Sequence, residues 1–144
     1  EFVREGEKTG ATPDGRYAGD EISKNGSPSV GMDREGVTAL LKSALKARPY
    51  TYCESFCLDV MLHPTAVSGD EGLEIMKSLL FMYMKNGGQA VQFNVFNTET
   101  LRDAQKRPEK YQNLQVRVCG WNVLWNNLSE KEQNAYITRA ENIR

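Results

Sequence analysis

Histidine is nearly missing from this sequence, and that closes off several chemistries at once. His63 is the only one in 144 residues, so neither a histidine pair for a metal nor a histidine-based triad can be assembled within the chain. Beside Pro64 it reads as a hydrogen-bonded residue at a strand end. Cysteine is scarce too. Cys53, Cys57 and Cys119 are an odd number, which suits reduced thiols in a cytoplasmic setting better than a disulfide frame. Cys53 and Cys57 stand close together but lack the further cysteines that a zinc or iron–sulfur site requires, so no metal is expected. They read as small apolar groups on one strand face. Neither sign of charge is in excess. The 18 basic and 19 acidic residues leave a net charge of −1, with no electrostatic footprint for nucleic acid or an anionic membrane. No apolar run approaches the ~18 residues of a bilayer span. A signal peptide and an initiator Met are both lacking, and the sequence reads as a piece of something longer.

What is present is enough apolar chain, 40% of residues, for one ordinary core. Residues 1–31 are rich in Gly, Pro, Asp, Ser and Lys without period. With turn signals at Pro13-Asp14-Gly15 and Asn25-Gly26, they read as an irregular strap laid over other parts of a larger protein. Residues 32–144 read as the folded domain. Asp33 is placed to cap a helix bearing Val37, Leu40, Leu41, Ala44 and Leu45 at helical spacing, closed by Pro49. Tyr50 to Leu62 alternates as a strand. Tyr52, Phe56, Leu58, Val60 and Leu62 face one way, and Cys53, Ser55, Cys57 and Asp59 face the other. That polar face is unusual for a central strand and looks either into a cavity or toward water.

Asp70 to Asn86 predicts a helix with Leu73, Met76, Leu80, Tyr83 and Met84 inward, stopped by Gly87-Gly88. Gln89 to Phe96 predicts a strand with Val91, Phe93 and Val95 on one face and Gln92 and Asn94 on the other. Asn97 or Thr98 caps a short helix that Pro108 ends. A last strand carries Gly120. Ser129 and Glu132 form a capping box for a terminal helix with Tyr136, Ile137 and Ala140 inward. About three strands alternating with helices predict an α/β arrangement with parallel strands and right-handed crossovers.

Gly120 interrupts an apolar alternation of Leu114, Val116 and Val118. Glycine inside a strand is costly, so it marks a bulge, a tight bend or a close backbone approach. Its setting points further. Arg117-Val118-Cys119-Gly120-Trp121 follows Asp103-Ala104-Gln105-Lys106-Arg107-Pro108-Glu109-Lys110-Tyr111 and precedes a capped helix. This resembles the radical-bearing segment of the glycyl radical enzymes, the family of pyruvate formate-lyase. The usual family signature is Arg-Val-small-Gly-Tyr, and Trp121 stands in the aromatic slot. Thr12-Pro13-Asp14-Gly15-Arg16, Ser27-Pro28-Ser29 with Gly31-Met32-Asp33, His63-Pro64 and Gln92-Phe93-Asn94-Val95 also fall in family-like order. The resemblance thus covers nearly the whole chain.

The resemblance implies the C-terminal portion of a ten-stranded α/β barrel whose other strands precede this segment. It implies that Gly120 stores a radical in an oxygen-sensitive, anaerobic enzyme. A radical-SAM activating enzyme, using S-adenosylmethionine and a [4Fe–4S] cluster, would install it, with no cofactor bound to this chain. Arg117, Val118, Cys119 and Trp121 would be the peptide shown to that activase. The radical would pass to a thiyl cysteine on an upstream part, and the full enzyme would be a homo-oligomer. Cys53-Glu54 is not expected to be that cysteine loop, because it follows a helix and reads as part of a strand matching one in the family's radical domain. Chemistry agrees with the choice of glycine. Its Cα lies between a donor nitrogen and an acceptor carbonyl, and both spread the electron if the backbone becomes planar, a geometry in which a Cβ would clash.

Cys119 with Trp121-Asn122-Val123 leans toward the arylacetate (hydroxyphenylacetate) decarboxylase branch. Diol dehydratase and formate acetyltransferase-like reactions stay open. So do two other roles: a stand-alone radical subunit that replaces a damaged C-terminus, and a non-catalytic α/β interaction module in which Gly120 is only a bend.

Overall fold

The apolar alternations at 57–62 and 90–95 pair with each other, and a computed structural model places the other elements around them. It describes residues 2–53, 56–118 and 120–142. In chain order these form α1 (Phe2–Glu7), α2 (Gly36–Lys46), β1 (Cys57–Leu62), α3 (Gly69–Lys85), β2 (Ala90–Val95), α4 (Thr98–Lys106), β3 (Gln115–Val118), β4 (Trp121–Leu124) and α5 (Glu130–Glu141).

β1 and β2 run parallel, with Cys57 opposite Ala90 and Leu62 opposite Val95. α3 supplies the crossover that parallel strands need. Alternate residues of β1 face two cores. Leu58, Val60 and Leu62 join Leu40, Leu41, Leu79 and Tyr83 on one side. Met61 joins Leu101, Val116, Val118, Trp125, Tyr136 and Ile137 on the other. The strand is therefore covered on both faces, as a central α/β strand should be.

The last strand departs from the parallel expectation. It is a hairpin: β3 and β4 pair antiparallel, with Val116 opposite Val123 and Val118 opposite Trp121. This two-stranded sheet is separate from β1–β2. The reason is backbone geometry, because Gly120 has φ +94° and turns the chain back at once. β3 lies beside β2 but is joined to it by a side chain. Asn94 donates Nδ2 to the Arg117 carbonyl (3.2 Å) and accepts the Arg117 N–H at Oδ1 (2.8 Å). One carboxamide thus supplies both bonds a neighbouring strand would have given.

Other expectations shift for local reasons. β1 starts at Cys57, because Pro49–Thr51 forms a 3-10 turn after Arg48 in a left-handed conformation. Tyr52, outside the strand, stacks on Phe56 at 6.3 Å. Asp33 does not cap α2. Its carboxylate meets Arg139 Nε at 3.6 Å and accepts from Asn142 Nδ2 at 3.2 Å, and α2 begins without a side-chain cap. α3 is rotated from the predicted stripe. Gly72, Leu79 and Tyr83 are buried, whereas Leu73, Phe81 and Met84 are exposed. The rotation follows from Gly72, where a Cβ would run into the Val67 backbone. The 1–31 strap also contains a helix, α1, whose Phe2 and Val3 pack on Ala135 with Ile22 and Val30 at the edge.

The predicted caps at α4 and α5 are present. Asn97 Oδ1 accepts the Thr100 N–H at 2.8 Å. Asp103 accepts from Tyr111 Oη and Arg107 Nε, both at 2.7 Å, which ties α4 to the approach to β3 and holds the Asp103 carboxyl below its usual range. Ser129 and Glu132 form the reciprocal capping box of α5. Ser129→Ala should cost about 1 kcal/mol, read as a lowered urea midpoint for loss of helix α5.

Candidate functional site

Gly120 sits exposed at the tip of the β3–β4 hairpin. Among the described residues beyond its chain neighbours, a Cβ there would meet nothing within 4 Å. Glycine is therefore demanded by the positive φ and not by crowding. Around it, Arg117 is half-buried and its Nη1 lies 3.4 Å from Asn122 Oδ1 across the hairpin. Val118 points into the Trp125–Tyr136 core, and Trp121 is 48% exposed. The hairpin thus brings Arg117, Val118, Gly120 and Trp121 together. Cys119, Glu54 and Ser55 lie outside the described residues.

Beneath the turn lies a buried polar network that begins at Gly120 itself. The Gly120 N–H donates to Gln92 Oε1 at 3.2 Å. Gln92 donates Nε2 to Asp59 Oδ1. Asp59, 1% exposed, also accepts from Asn25 Nδ2 and lies 3.4 Å from Lys24 Nζ, itself buried. Lys24 Nζ turns back to the hairpin, reaching the Arg117 carbonyl at 3.0 Å and Tyr136 Oη at 2.7 Å. Tyr136 Oη donates to that same carbonyl at 3.0 Å. Ser27 Oγ exchanges hydrogen bonds with the Asp59 backbone, at 2.9 and 3.0 Å, and Arg139 Nη2 donates to the Asp59 carbonyl at 2.8 Å. Two backbone groups of the turn, the Arg117 carbonyl and the Gly120 N–H, are thereby anchored to one buried ion pair.

Burial pushes the Asp59 carboxyl above its usual range, against the pull of Lys24, the Asn25 hydrogen bond and Arg139. A raised carboxyl favours the folded state most when protonated. Asp59's contribution to stability is therefore complete in acid and falls as pH rises through its folded value.

His63 caps the turn after β1, its Nδ1 3.3 Å from the Thr65 amide and 2.7 Å from the Thr65 hydroxyl. Among the described residues no group of three His, Cys, Asp or Glu could hold a metal ion, and no helix is long and apolar enough to cross a membrane.

An exposed glycine with positive φ, in an Arg-Val-Cys-Gly-Trp hairpin before a boxed helix, is set within residues 22–126, and these residues match the glycine radical family. The chain belongs to that family. Among its relatives in the glycyl radical enzymes, indoleacetate decarboxylase of Tractidigestivibacter scatoligenes is 41% identical over 94% of this chain and 16% of its own length. The 4-hydroxyphenylacetate decarboxylase glycyl radical subunit of Clostridioides difficile is 39% identical over 95% of this chain and 15% of its own. A solved structure from Roseburia inulinivorans, concerned with 1,2-propanediol dehydration, superposes with a TM-score of 0.88 at 40% identity, over 96% of this chain and 17% of that one. The chain therefore spans about a sixth of the length of the glycyl radical proteins it matches, and its α/β fold is that of the C-terminal part of their barrels.

The radical-family motif was readable from the sequence, but the network behind it was only half visible. Asp59, Gln92 and Asn94 already stood out as polar residues on strand faces, and Tyr136 as inward-facing. Lys24 and Arg139 carried no such signal, and Ser27 entered only through the family-like Ser27-Pro28-Ser29. An irregular strap has no period that marks which of its residues turn inward, and lysine and arginine are seldom buried.

Proposed function

We propose that Gly120 carries the radical of an oxygen-sensitive glycyl radical lyase, of which this chain is the radical-bearing C-terminal domain. The observation that carries this reading is the placement of Gly120. It lies with φ +94° where β3 turns back into β4, inside the family motif, on a hairpin whose sheet is separate from β1–β2. A hairpin tip is a segment that can swing out toward a second protein, as a central strand residue cannot.

A radical-SAM activase is the partner this requires. Its S-adenosylmethionine and [4Fe–4S] cluster generate a 5′-deoxyadenosyl radical. That radical takes one hydrogen atom from Gly120, forming a C–H bond on the nucleoside and leaving the electron on the glycine Cα. Arg117, Val118, Cys119 and Trp121 form the peptide offered to the activase. Trp121 is exposed in the folded hairpin, while Val118 would reach the activase only after the turn leaves the core. The radical then passes to a cysteine on an upstream part of the same polypeptide. The exposed Leu73, Phe81 and Met84 of α3 suit burial against that part. The two decarboxylases among the relatives, together with Cys119-Gly120-Trp121, favour decarboxylation of an arylacetate.

The test is intact mass of the full-length enzyme after anaerobic activation and brief exposure to air. Oxygen attacks a glycyl radical and breaks the backbone at that residue, so cleavage at Gly120 is expected. An activated enzyme that stays uncut overturns the reading.

A further inference from the structure

We infer that Gln92 is a positioning residue for Gly120, one that fixes the peptide entering the glycine and thereby the shape of its radical. The inference rests on Gly120 being the radical site.

Gln92 and Asp59 are neighbours in register across the parallel pair, on the face opposite the Leu58–Val60 core. Both are buried, so their amide and carboxyl groups must satisfy one another or the turn above them. The carboxylate offers only acceptors, so the NH2 end of Gln92 must face Asp59. This leaves Oε1 toward the Gly120 N–H, at 3.2 Å. Flipping the carboxamide would set oxygen against carboxylate and NH2 against N–H, losing two hydrogen bonds together. Asp59 is in turn held by Asn25 and Lys24. The orientation of Gln92 is therefore fixed from below.

The consequence falls on the radical. Spreading an electron from Cα onto the flanking amide nitrogen and carbonyl requires the two peptide planes at Gly120 to come into one plane. The resting φ of +94° is far from that. With its N–H held by Gln92, the incoming peptide is anchored at its nitrogen, and further upstream the Arg117 carbonyl holds β3 in place through Lys24, Tyr136 and Asn94. Rotation is left to the Cα–carbonyl side. An acceptor on the N–H also makes the nitrogen a better electron donor to Cα. Gln92 touches neither Cα nor its hydrogen, and it acts only through the peptide N–H.

The test uses the full-length enzyme with Gln92→Leu, and with Gln92→Met, which is unbranched and of Gln's length should Leu not pack. Two readouts separate positioning from bulk stability. Amide exchange in the peptide containing Gly120 should accelerate about fivefold to tenfold, the loss of one hydrogen bond, while exchange in β1 stays near wild type. After activation, the electron paramagnetic resonance doublet should change its α-hydrogen splitting, and the radical should decay several-fold faster without oxygen. A wild-type radical whose splitting, lifetime and Gly120 exchange are all unaltered in both variants overturns this inference alone. Absence of any radical from activated wild type overturns the Gly120 reading, and this inference with it.

Discussion

Gly120→Ala is expected to abolish the radical completely while leaving the fold in place. The two effects separate because they have different origins. Among the described residues beyond its chain neighbours nothing lies within 4 Å of an added Cβ, so alanine meets no tertiary clash. The cost to the resting fold is the left-handed backbone, about 1 kcal/mol. The radical is another matter. A planar Cα brings a Cβ against the neighbouring carbonyls, so alanine loses the delocalisation that makes its Cα–H removable. Electron paramagnetic resonance after activation should be silent, and air should leave the chain uncut. Hydrogen exchange of β1, β2 and α5 should stay close to wild type. If instead the variant formed a radical, glycine would not be the site. If it unfolded, the turn would be a structural hinge and the interaction-module reading would gain.

Lys24→Met should produce the largest loss of stability. Lys24 is 3% exposed and faces Asp59, which is 1% exposed. Removing the cation strands a carboxylate in the core, which costs about 3–5 kcal/mol, whereas replacing both partners together is far milder. That is a large share of the ~5–15 kcal/mol by which a domain is stable. Lys24→Met with Asp59→Leu should therefore cost less than Lys24→Met alone. pH supplies the sign. Lys24 draws the Asp59 carboxyl down against burial, so in Lys24→Met the carboxyl rises further. The single variant should be weakest at neutral pH and recover as Asp59 is protonated in acid. Hydrogen exchange of the β1 and β2 amides at acid and neutral pH reads this directly. Equal losses for single and double variants would mean that the ion pair is not the anchor.

Much of this protein was decided by local chemistry that a sequence displays. A cap for α4 at Asn97 or Thr98 and a box for α5 at Ser129 with Glu132 were legible, because such side chains bond the N–H groups of their own first turn; the structure uses Asn97. The apolar alternations of β1 and β2 could be read because a strand's period is two. The Arg-Val-Cys-Gly-Trp motif carried the family, because a backbone radical admits one residue type.

What local chemistry could not decide was where distant residues meet. That Gly120 reverses the chain, and does not carry it into a third parallel strand, depends on a positive φ that glycine permits but does not compel. The rotation of α3 depends on Gly72 meeting Val67. Asp33 had two possible partners, its own helix and Arg139, and tertiary packing chose the second. Above all, a lysine from a Gly- and Ser-rich strap reaches the core only because Asp59 and the Arg117 carbonyl wait there. Burying a charge is affordable only when its partners are already in place, and that condition belongs to the folded chain as a whole.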